Sequence, residues 1–546
     1  AHPANSPAIT QKEISPLDLR PAAIAKLQQM VEAGSDSLYQ LGIDSLHTDI
    51  VSGTIILKGV SIQPDSNIIT KMRREKSLPD DIYHISLASL RITGIGLADF
   101  LHGRNISLGS IICAEPQITV NHQLQAYNSD KRAKAKRSSL FSRLRGQIDK
   151  LAIDSISITQ GNFKDQSSGI TNTYHDVSIA LKDILIDSVA EKDTSRFLFA
   201  KVALLQTGKI IMPTGKSQYD LSIGGIAISG EKRQVVIRDL ALKPHGGKEA
   251  FLSHQKTQVE VYDIAIPSIT LNGVDWWAAA HGESLIAKDA ELTGSQWYIY
   301  VDQRLPSGIT IKRDNFPQQM LEHLRMPVSV HQVMVQAATL TYEEFTRKSG
   351  KQSRITFNNM DAIAEGFSNL PSEIAIHPVA HFSGTCRFMN ATDMAADFAL
   401  SLPRKKLGAF KGNLSVGGLT SAMINPFGEG MGLIRITSGQ VQYAKVHVEG
   451  NNNNVHGTVA AAYTDLHILP LKPSENRNEK LKKRPIIGKI ANLILIKSNN
   501  PAKGATLRRP SFTLDRINEA NFFNFVWMGA KQGLLKTIGV PTALGM

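Results

Sequence analysis

The chain has 546 residues, a length that suits three or four ordinary domains better than one. Hydrophobic residues make up 42% and Gly fills a further 41 positions, which excludes wholesale disorder. Lys and Arg outnumber Asp and Glu by 61 to 48, a net charge of +13, so the chain favours anionic partners without choosing among nucleic acid, acidic lipid and acidic glycan.

The first residues, Ala1-His2-Pro3-Ala4, include no Met, so a processed chain with an anchor or signal removed upstream is expected. Pro21–Gly34 reads as the first helix: Pro stands at its first turn and Gly at its stop, and Ile24, Leu27, Met30 and Val31 share one face. From residue 55 a different pattern takes over. Eight-residue windows recur in which positions 1, 3, 6 and 8 are aliphatic. They are Ile55–Ile62, Ile85–Ile92, Ile106–Cys113, Leu151–Ile158, Ile179–Ile186, Leu221–Ile228, Val235–Leu242, Ile264–Leu271 and Val328–Val335. Chance would supply roughly two such windows. A step of two keeps side chains on one face of a strand, whereas a step of three moves them to the other. Each window therefore predicts two half-strands joined by a bulge or corner, both pointing apolar side chains the same way.

Between the windows, Asn128–Arg145 and Lys472–Lys489 are basic and polar; a solvated loop and a phosphate-contacting loop are both open readings. A short helix is expected over Phe316–Leu324, after Asp314. Gly428–Gly432 reads as a loop in a Pro- and Gly-rich turn, and Asn451–Asn454 as a hairpin tip. The last segment, Asn521–Val540, is strongly apolar but interrupted by Asn524, Lys531, Gln532 and Lys536, which predicts an amphipathic helix rather than a spanning one. No run of 18 apolar residues occurs anywhere.

The search for chemistry gives little. Gly208–Ser217 ends like a phosphate-binding loop, but Ile210 stands where its first Gly is required. There is no H-E-x-x-H, no G-x-S-x-G and no Cys-x-x-Cys; His377 and His381 are four apart but flank Pro378. Cys113 and Cys386 exclude a disulfide framework, and one disulfide or two thiols are both open. The basic run at 131–145 contains a single aromatic, Phe141, so nucleic acid is not the expected partner. No catalytic residue, metal or cofactor is assigned, and the expectation is a protein that is not an enzyme.

Residues Leu38–Asp65 resemble the opening of AsmA-like proteins, in which a helix leads into a strand, then a G-x-hydrophobic pattern, then Pro-Asp. Ile148–Asp165, Met423–Leu471 (with Ile424-Asn425-Pro426 and Ile434–Gly439) and the tail Phe522–Gly539 are similar to recurring phrases of the same AsmA/TamB-type family. The resemblance implies a repeating β-groove in the Gram-negative envelope. It further implies a periplasmic protein, tethered to the inner membrane by an N-terminal helix absent from this chain, passing phospholipids through a hydrophobic groove.

The combined expectation is a mainly β fold: an elongated, curved antiparallel β-groove with short amphipathic helices at both ends. About two dozen strands at ~4.8 Å would extend on the order of 120 Å. The expected divisions are 1–40 (N-terminal helix), 41–310 and 311–475 (two groove segments) and 476–546 (basic loop and C-terminal helix). The expected lipid-binding residues are Ile55, Leu57, Val60, Ile62, Leu151, Ile153, Ile156, Ile158, Ile264, Ile266, Val328 and Val330. Phe522, Phe525, Trp527, Lys531 and Lys536 are expected to contact a membrane. The expected partners are a phospholipid or other acyl lipid, a membrane surface, and inner- and outer-membrane proteins. An assembly scaffold for outer-membrane proteins and a glycan-binding β-solenoid stand as the alternatives.

Overall fold

The computed structural model describes residues 20–540 apart from 50–51, 96–104, 129–148, 168–169, 191–192, 194–195, 198, 214–217, 281–283, 309–311, 313, 325 and 473–496. The two basic runs at 131–145 and 473–489 thus lie outside the described residues. The chain forms two compact units, Ala1–Val202 and Ala203–Met546, both mainly β.

The first unit runs α1 (Arg20–Gly34), β1 (Tyr39–Asp49), β2 (Thr54–Pro64), α2 (Ser66–Arg74), β3 (Asp81–Thr93), β4 (Asn105–Ala114), β5 (Gln117–His122), β6 (Lys150–Ser167) and β7 (Ile170–Ile186). The second starts within β8 (Ala200–Gln206). It continues with β9 (Ile210–Pro213), β10 (Tyr219–Ile223), β11 (Gly225–Ser229), β12 (Gln234–Pro244), α3 (Gly247–Ser253), β13 (Glu260–Asn272), α4 (Trp276–Ala280), β14 (Leu285–Thr293) and β15 (Gln296–Asp302). Then come α5 (Pro317–Glu322), β16 (Val328–Thr346), β17 (Lys351–Ser368), α6 (Pro371–Ile376), β18 (Val379–Phe388), β19 (Thr392–Ser401) and β20 (Phe410–Val416). Last are α7 (Ser421–Gly432), β21 (Ile434–Gly450), β22 (Asn454–Pro470), β23 (Ser511–Asp515) and α8 (Phe522–Ile538).

Most neighbouring strands are antiparallel, but the sheet is mixed. Strands β4 and β5 both pair with β6 in parallel, and β14 and β15 both pair with β16 in parallel. A parallel neighbour needs a long crossover, and the segments 123–149 and 303–327 supply it. In both cases the two short strands are one strand interrupted by a kink. The partner offset is the same on either side, Asn105↔Lys150 with Gln117↔Asn162, and Leu285↔Val328 with Gln296↔Thr339.

That correspondence extends to the whole block. The order β2-α2-β3-β4/β5-β6-β7 recurs as β12-α3-β13-β14/β15-β16-β17 with the same pairings. Residues in the left-handed region recur with it: Gly53 and Arg233, Gly59 and Asp239, Gly94 and Gly273, Glu115 and Gly294, Gln160 and Ala337, Asp176 and Asn359, Asp183 and Gly366. Members of each pair stand between 177 and 183 residues apart. Backbone kinks of this kind disfavour a Cβ, so their repetition at equivalent points marks an internal structural duplication.

In three of the nine windows the step of three coincides with one residue in the left-handed region. In β2–β3 the ladder passes from Lys58↔Ser89 to Val60↔Leu87, with Gly59 at φ 57° between them. In β6–β7 it passes from Ser155↔Lys182 to Ile153↔Ile184 around Asp183 at φ 51°, and in β12–β13 from Arg238↔Ser268 to Leu240↔Ile266 around Asp239 at φ 51°. Register is unchanged across each kink. One rotated residue, not an inserted one, returns the following side chains to the same face. True bulges with a register shift occur elsewhere, as between Ile158 and Gly161 and between Val335 and Ala338.

Three expectations are corrected. The units divide after Val202, not near 310: β15 and β16, on either side of that position in sequence, are hydrogen-bonded neighbours within the second unit. Nor do the described residues of 476–546 stand apart, because β23 and α8 pack into the core of the second unit. Gly428–Gly432 is helical, within α7. Its glycines serve close packing, since a Cβ on Gly430 would lie 1.7 Å from Ser353 Oγ of β17. The helices expected over 21–34, 316–324 and 521–540 are α1, α5 and α8, and Asn451–Asn454 turns β21 into β22, Asn451 Oδ1 accepting from Asn453 N at 2.8 Å.

Replacing Gly59 with Val forces a β-branched side chain into the left-handed region, and we expect a loss of about 2 kcal/mol. At the equivalent kink, Asp239→Gly is expected to be neutral or to stabilise by up to about 1 kcal/mol. Urea unfolding of the two variants checks the pair; equal destabilisation would contradict the assignment.

Candidate apolar binding face

The windows align across strands into rungs. In the first unit one rung reads Leu46, Leu57, Leu90, Cys113, Ile158, Ile179, one residue from each of β1, β2, β3, β4, β6 and β7. A second reads Ile55, Ile92, Ile111, Ile156, Leu181, and a third Leu41, Ile62, Ile85, Ile118, Phe163, Tyr174. The opposite face carries Ser, Lys and Arg at the intervening positions, among them Lys58, Ser86, Ser89, Arg91, Ser155, Ser157 and Lys182. The alternation that separates the two faces is the ordinary period of a strand, restored after each kink.

The second unit builds longer rungs. One runs Ile226, Ile237, Ile269, Leu292, Val335, Ala362, Gly384, Ala396, Leu414, Val446, Val459, crossing from β11 to β22. The next runs Ile228, Val235, Leu271, Ala290, Val333, Ala364, Phe382, Phe398, Gly412, Val448, Gly457, Phe512, ending in β23. Side-chain size changes along them, from branched aliphatics to alternating Gly and Phe. The glycines make room for rings: a Cβ on Gly412 would lie 2.3 Å from the Phe398 ring, and one on Gly457 would lie 2.8 Å from Phe512.

Helices cover parts of this face. In the first unit Ile24 and Leu27 of α1 pack on the cluster of Leu46, Ile55, Leu57 and Val60. In the second, α8 lies on β21, β22 and β23. Asn521 caps it, its Oδ1 accepting from Asn524 N at 2.9 Å, and Gly539 at φ 82° ends it. Phe522, Phe525, Val526, Gly529, Ala530, Gly533 and Thr537 form its buried stripe. Gly529 and Gly533 set the approach distance, since a Cβ on Gly533 would lie 2.3 Å from Val459 Cγ2. Phe522 stacks edge-on with Phe316, Phe398 and Phe410 at centroid distances of 5.3, 5.5 and 4.9 Å.

Between the covered parts the apolar face is half-exposed: Ile92, Ile111, Ile156 and Ile158 in the first unit, and Ile237, Ile264, Ile266, Ile269, Leu292 and Val335 in the second. On the rung Cys386–Met394–Val416 there is a depression of about 430 Å³, bordered by Arg387, Tyr443 and Lys445. Burial raises the pKa of both thiols, Cys113 and Cys386, and both cysteines are free.

A polar border interrupts the face of the second unit. Glu260, Val301 and Glu344 are successive partners across β13, β15 and β16, with Tyr262 and Tyr342 two residues inward. Glu260 accepts from Lys312 Nζ at 2.7 Å, from Asn521 Nδ2 at 3.3 Å and from the Tyr262 hydroxyl. Glu344 accepts from Tyr342 at 2.7 Å, Gln303 at 2.6 Å and Thr346 at 2.8 Å. Burial works to raise the Glu260 carboxyl, but Lys312, Tyr262 and Asn521 together outweigh it and hold the group below its ordinary value. Burial, then Glu260, pushes the Tyr262 hydroxyl well up; burial, then Glu344, does the same to Tyr342. Both acids are thus committed to internal bonds.

Of the expected lipid-binding residues, Ile55, Leu57, Val60, Ile153 and Val330 are buried, and Ile62, Leu151, Ile156, Ile158, Ile264, Ile266 and Val328 are half-buried on the same face as their rung neighbours. The expected membrane set is corrected at Phe522 and Phe525. Phe522 and Phe525, at 4% and 0% exposure, belong to the core. Lys531 is half-buried, and burial, then Lys348, lowers its pKa. Lys536 donates to Ser511 O at 3.0 Å, while Trp527 is exposed. The strict Ile/Leu/Val template missed β1, β5, β8, β9, β14, β15 and the strands from β17 onward, and β14 and β17 show why. Leu285, Ala287, Ala290, Leu292 and Ala362, Ala364, Phe367 keep the spacing with Ala or Phe substituted. No protein-family model and no curated protein matches the chain.

Two outcomes follow. Gly533→Leu cannot be seated against Val459 and should destabilise the protein by about 3 kcal/mol, read from its urea midpoint. Glu260 has a depressed folded pKa, so its contribution is present above its unfolded value of 4.5 and lost as pH falls below that. Glu260→Gln should therefore lower stability at neutral pH and lessen the further loss below pH 4.5; parallel pH profiles of the two proteins would contradict the pairing.

Proposed function

We propose that the chain is a non-enzymatic lipid-holding and lipid-transfer protein whose apolar face takes the acyl chains of phospholipids or related lipids. The observation that carries this reading is the set of unbroken apolar rungs, five or six strands wide in the first unit and eleven or twelve in the second, left half-exposed over much of their length. A half-buried aliphatic side chain forgoes on the order of 0.5 kcal/mol of burial, and the ten named above together forgo several kcal/mol. Acyl chains recover that energy with no directional bonds, which suits a surface that offers almost none. The polar border of Glu260, Lys312, Tyr262, Tyr342 and Glu344 shows what the rest of the face lacks.

The resemblance to AsmA-like proteins supports the same reading and adds a setting: the periplasm, between inner and outer membranes. The partners proposed are acyl lipids and the membrane surfaces that supply and receive them. The wide face favours lipid over the glycan reading, because Glu260, Glu343 and Glu344 are each held in ion pairs or hydrogen bonds beside the tyrosines rather than presented to a sugar.

Native mass spectrometry of the purified protein should find bound lipid, and a fluorescent fatty acid should bind it. Ile266→Asp places a carboxylate on the half-buried part of the face and should weaken acyl-probe binding about tenfold or more, with circular dichroism unchanged. A folded Ile266→Asp variant that binds the probe as tightly as the parent, or a parent that binds none, would refute the proposal.

A further inference from the structure

One border of the second unit carries apolar side chains that the fold leaves uncovered. Strands β16, β18, β20 and β22 begin there, and β17, β19 and β21 end there. Helix α5, helix α6 and the turn at 404–408 close the strand ends. They are tied to one another: Asn369 Nδ2 donates to Leu321 O at 3.1 Å and Met326 O at 3.2 Å, Leu402 N donates to Pro378 O at 2.9 Å, and Arg404 pairs with Glu322. A Cβ on Gly408 would lie 2.9 Å from the Gln319 side chain, which places the turn directly beside α5.

From these three tips project Met320, Leu324, Met326, Ile376, Val379 and Leu407, exposed by between 37% and 68%. Isolated exposed hydrophobics are ordinary, but six on adjoining tips form a patch. Leu407 is the sharpest case. It sits at φ 50°, where glycine is favoured, and gains no burial in return. Lys405 and Lys406 precede it, both exposed, and among the described residues neither is recorded in an ion pair. The nearest carboxylate on α5, Glu322, is already taken by Arg404.

We propose that this border is a membrane-docking rim that inserts its aliphatic tips into the interface of a bilayer, with Lys405 and Lys406 at the level of anionic head groups. Separate short tips with flexible Met and Leu side chains penetrate a fluid interface more readily than they match a flat protein surface. Cations placed beside an exposed leucine suit a boundary that is apolar below and negative above. The inference rests on the lipid-holding reading, to which it adds the place where the protein meets its lipid source.

The test is co-sedimentation of the whole protein with phosphatidylcholine vesicles containing phosphatidylglycerol, at high salt so that contacts made by charge alone are screened. The parent should bind. The double variant Leu407→Glu/Ile376→Glu should bind about tenfold more weakly, with unchanged circular dichroism and unchanged acyl-probe affinity. Since both residues project outward, the variant is expected to fold, and Lys405→Gln/Lys406→Gln, measured at low salt, gives a second measure: weaker binding to vesicles with phosphatidylglycerol and little change without it. A parent that ignores vesicles, or a double variant that binds as tightly, overturns the rim. So does a parent that is dimeric where the double variant is monomeric with vesicle binding intact, which would assign the patch to a second copy of the chain. If Ile266→Asp leaves acyl-probe binding intact while the rim variant loses vesicles, the lipid-holding reading fails and the rim stands.

Discussion

The structure depends on one backbone constraint. A side chain three positions along a strand points to the wrong face, and in this chain a single left-handed residue corrects it. Gly59, Asp183, Asp239 and Gly366 each sit at such a kink, and on both sides of each the aliphatic residues point the same way. Without the rotation half of the windows Ile55–Ile62, Ile179–Ile186 and Val235–Leu242 would face solvent on the Ser- and Lys-rich side, and the rungs would break at β2, β7 and β12. Left-handed Asp is tolerated where a β-branched residue would not be, which accounts for the Gly and Asp at these points.

The kinks stand on β2, β7, β12 and β17, and the ladders to β3, β6, β13 and β16 keep their register across them. The duplication of the β2–β7 block as β12–β17 is visible chiefly in these kinks and in the kinked strands β4/β5 and β14/β15. Few side chains are shared between the two copies, since any aliphatic residue serves a rung. What is preserved is where the backbone turns. The ends are treated differently: α1 contributes Ile24 and Leu27 to a small cluster, whereas α8 seats a Gly- and Phe-rich stripe on the largest core in the protein.

The apolar face and its polar border divide the work of the second unit. The rungs offer contact area without direction. The network of Glu260, Lys312, Asn521 and Tyr262 is directional and ties the start of α8 to β13, 261 residues earlier in sequence. Such a network tolerates few substitutions, because removing either member of the Glu260–Lys312 pair leaves a partly buried charge alone.

Periodicity alone determined a great deal. The windows named ten of the strands and the residues on their apolar face, Pro21 and Gly34 marked the ends of the first helix, and the interrupted apolar run Asn521–Val540 marked the last, since these depend on neighbours within one or two turns. Only the tertiary structure decided the rest. The parallel pairings across the crossovers at 123–149 and 303–327 join residues that local pattern cannot relate, and they moved the unit boundary from 310 to 202. The glycines of α7 looked like a loop because nothing local reveals Ser353 lying against Gly430. Phe522 and Phe525 looked like membrane anchors because an amphipathic stripe has the same spacing whether it meets lipid or protein. Phe316, Phe398 and Phe410, brought in from more than a hundred residues away, made it protein.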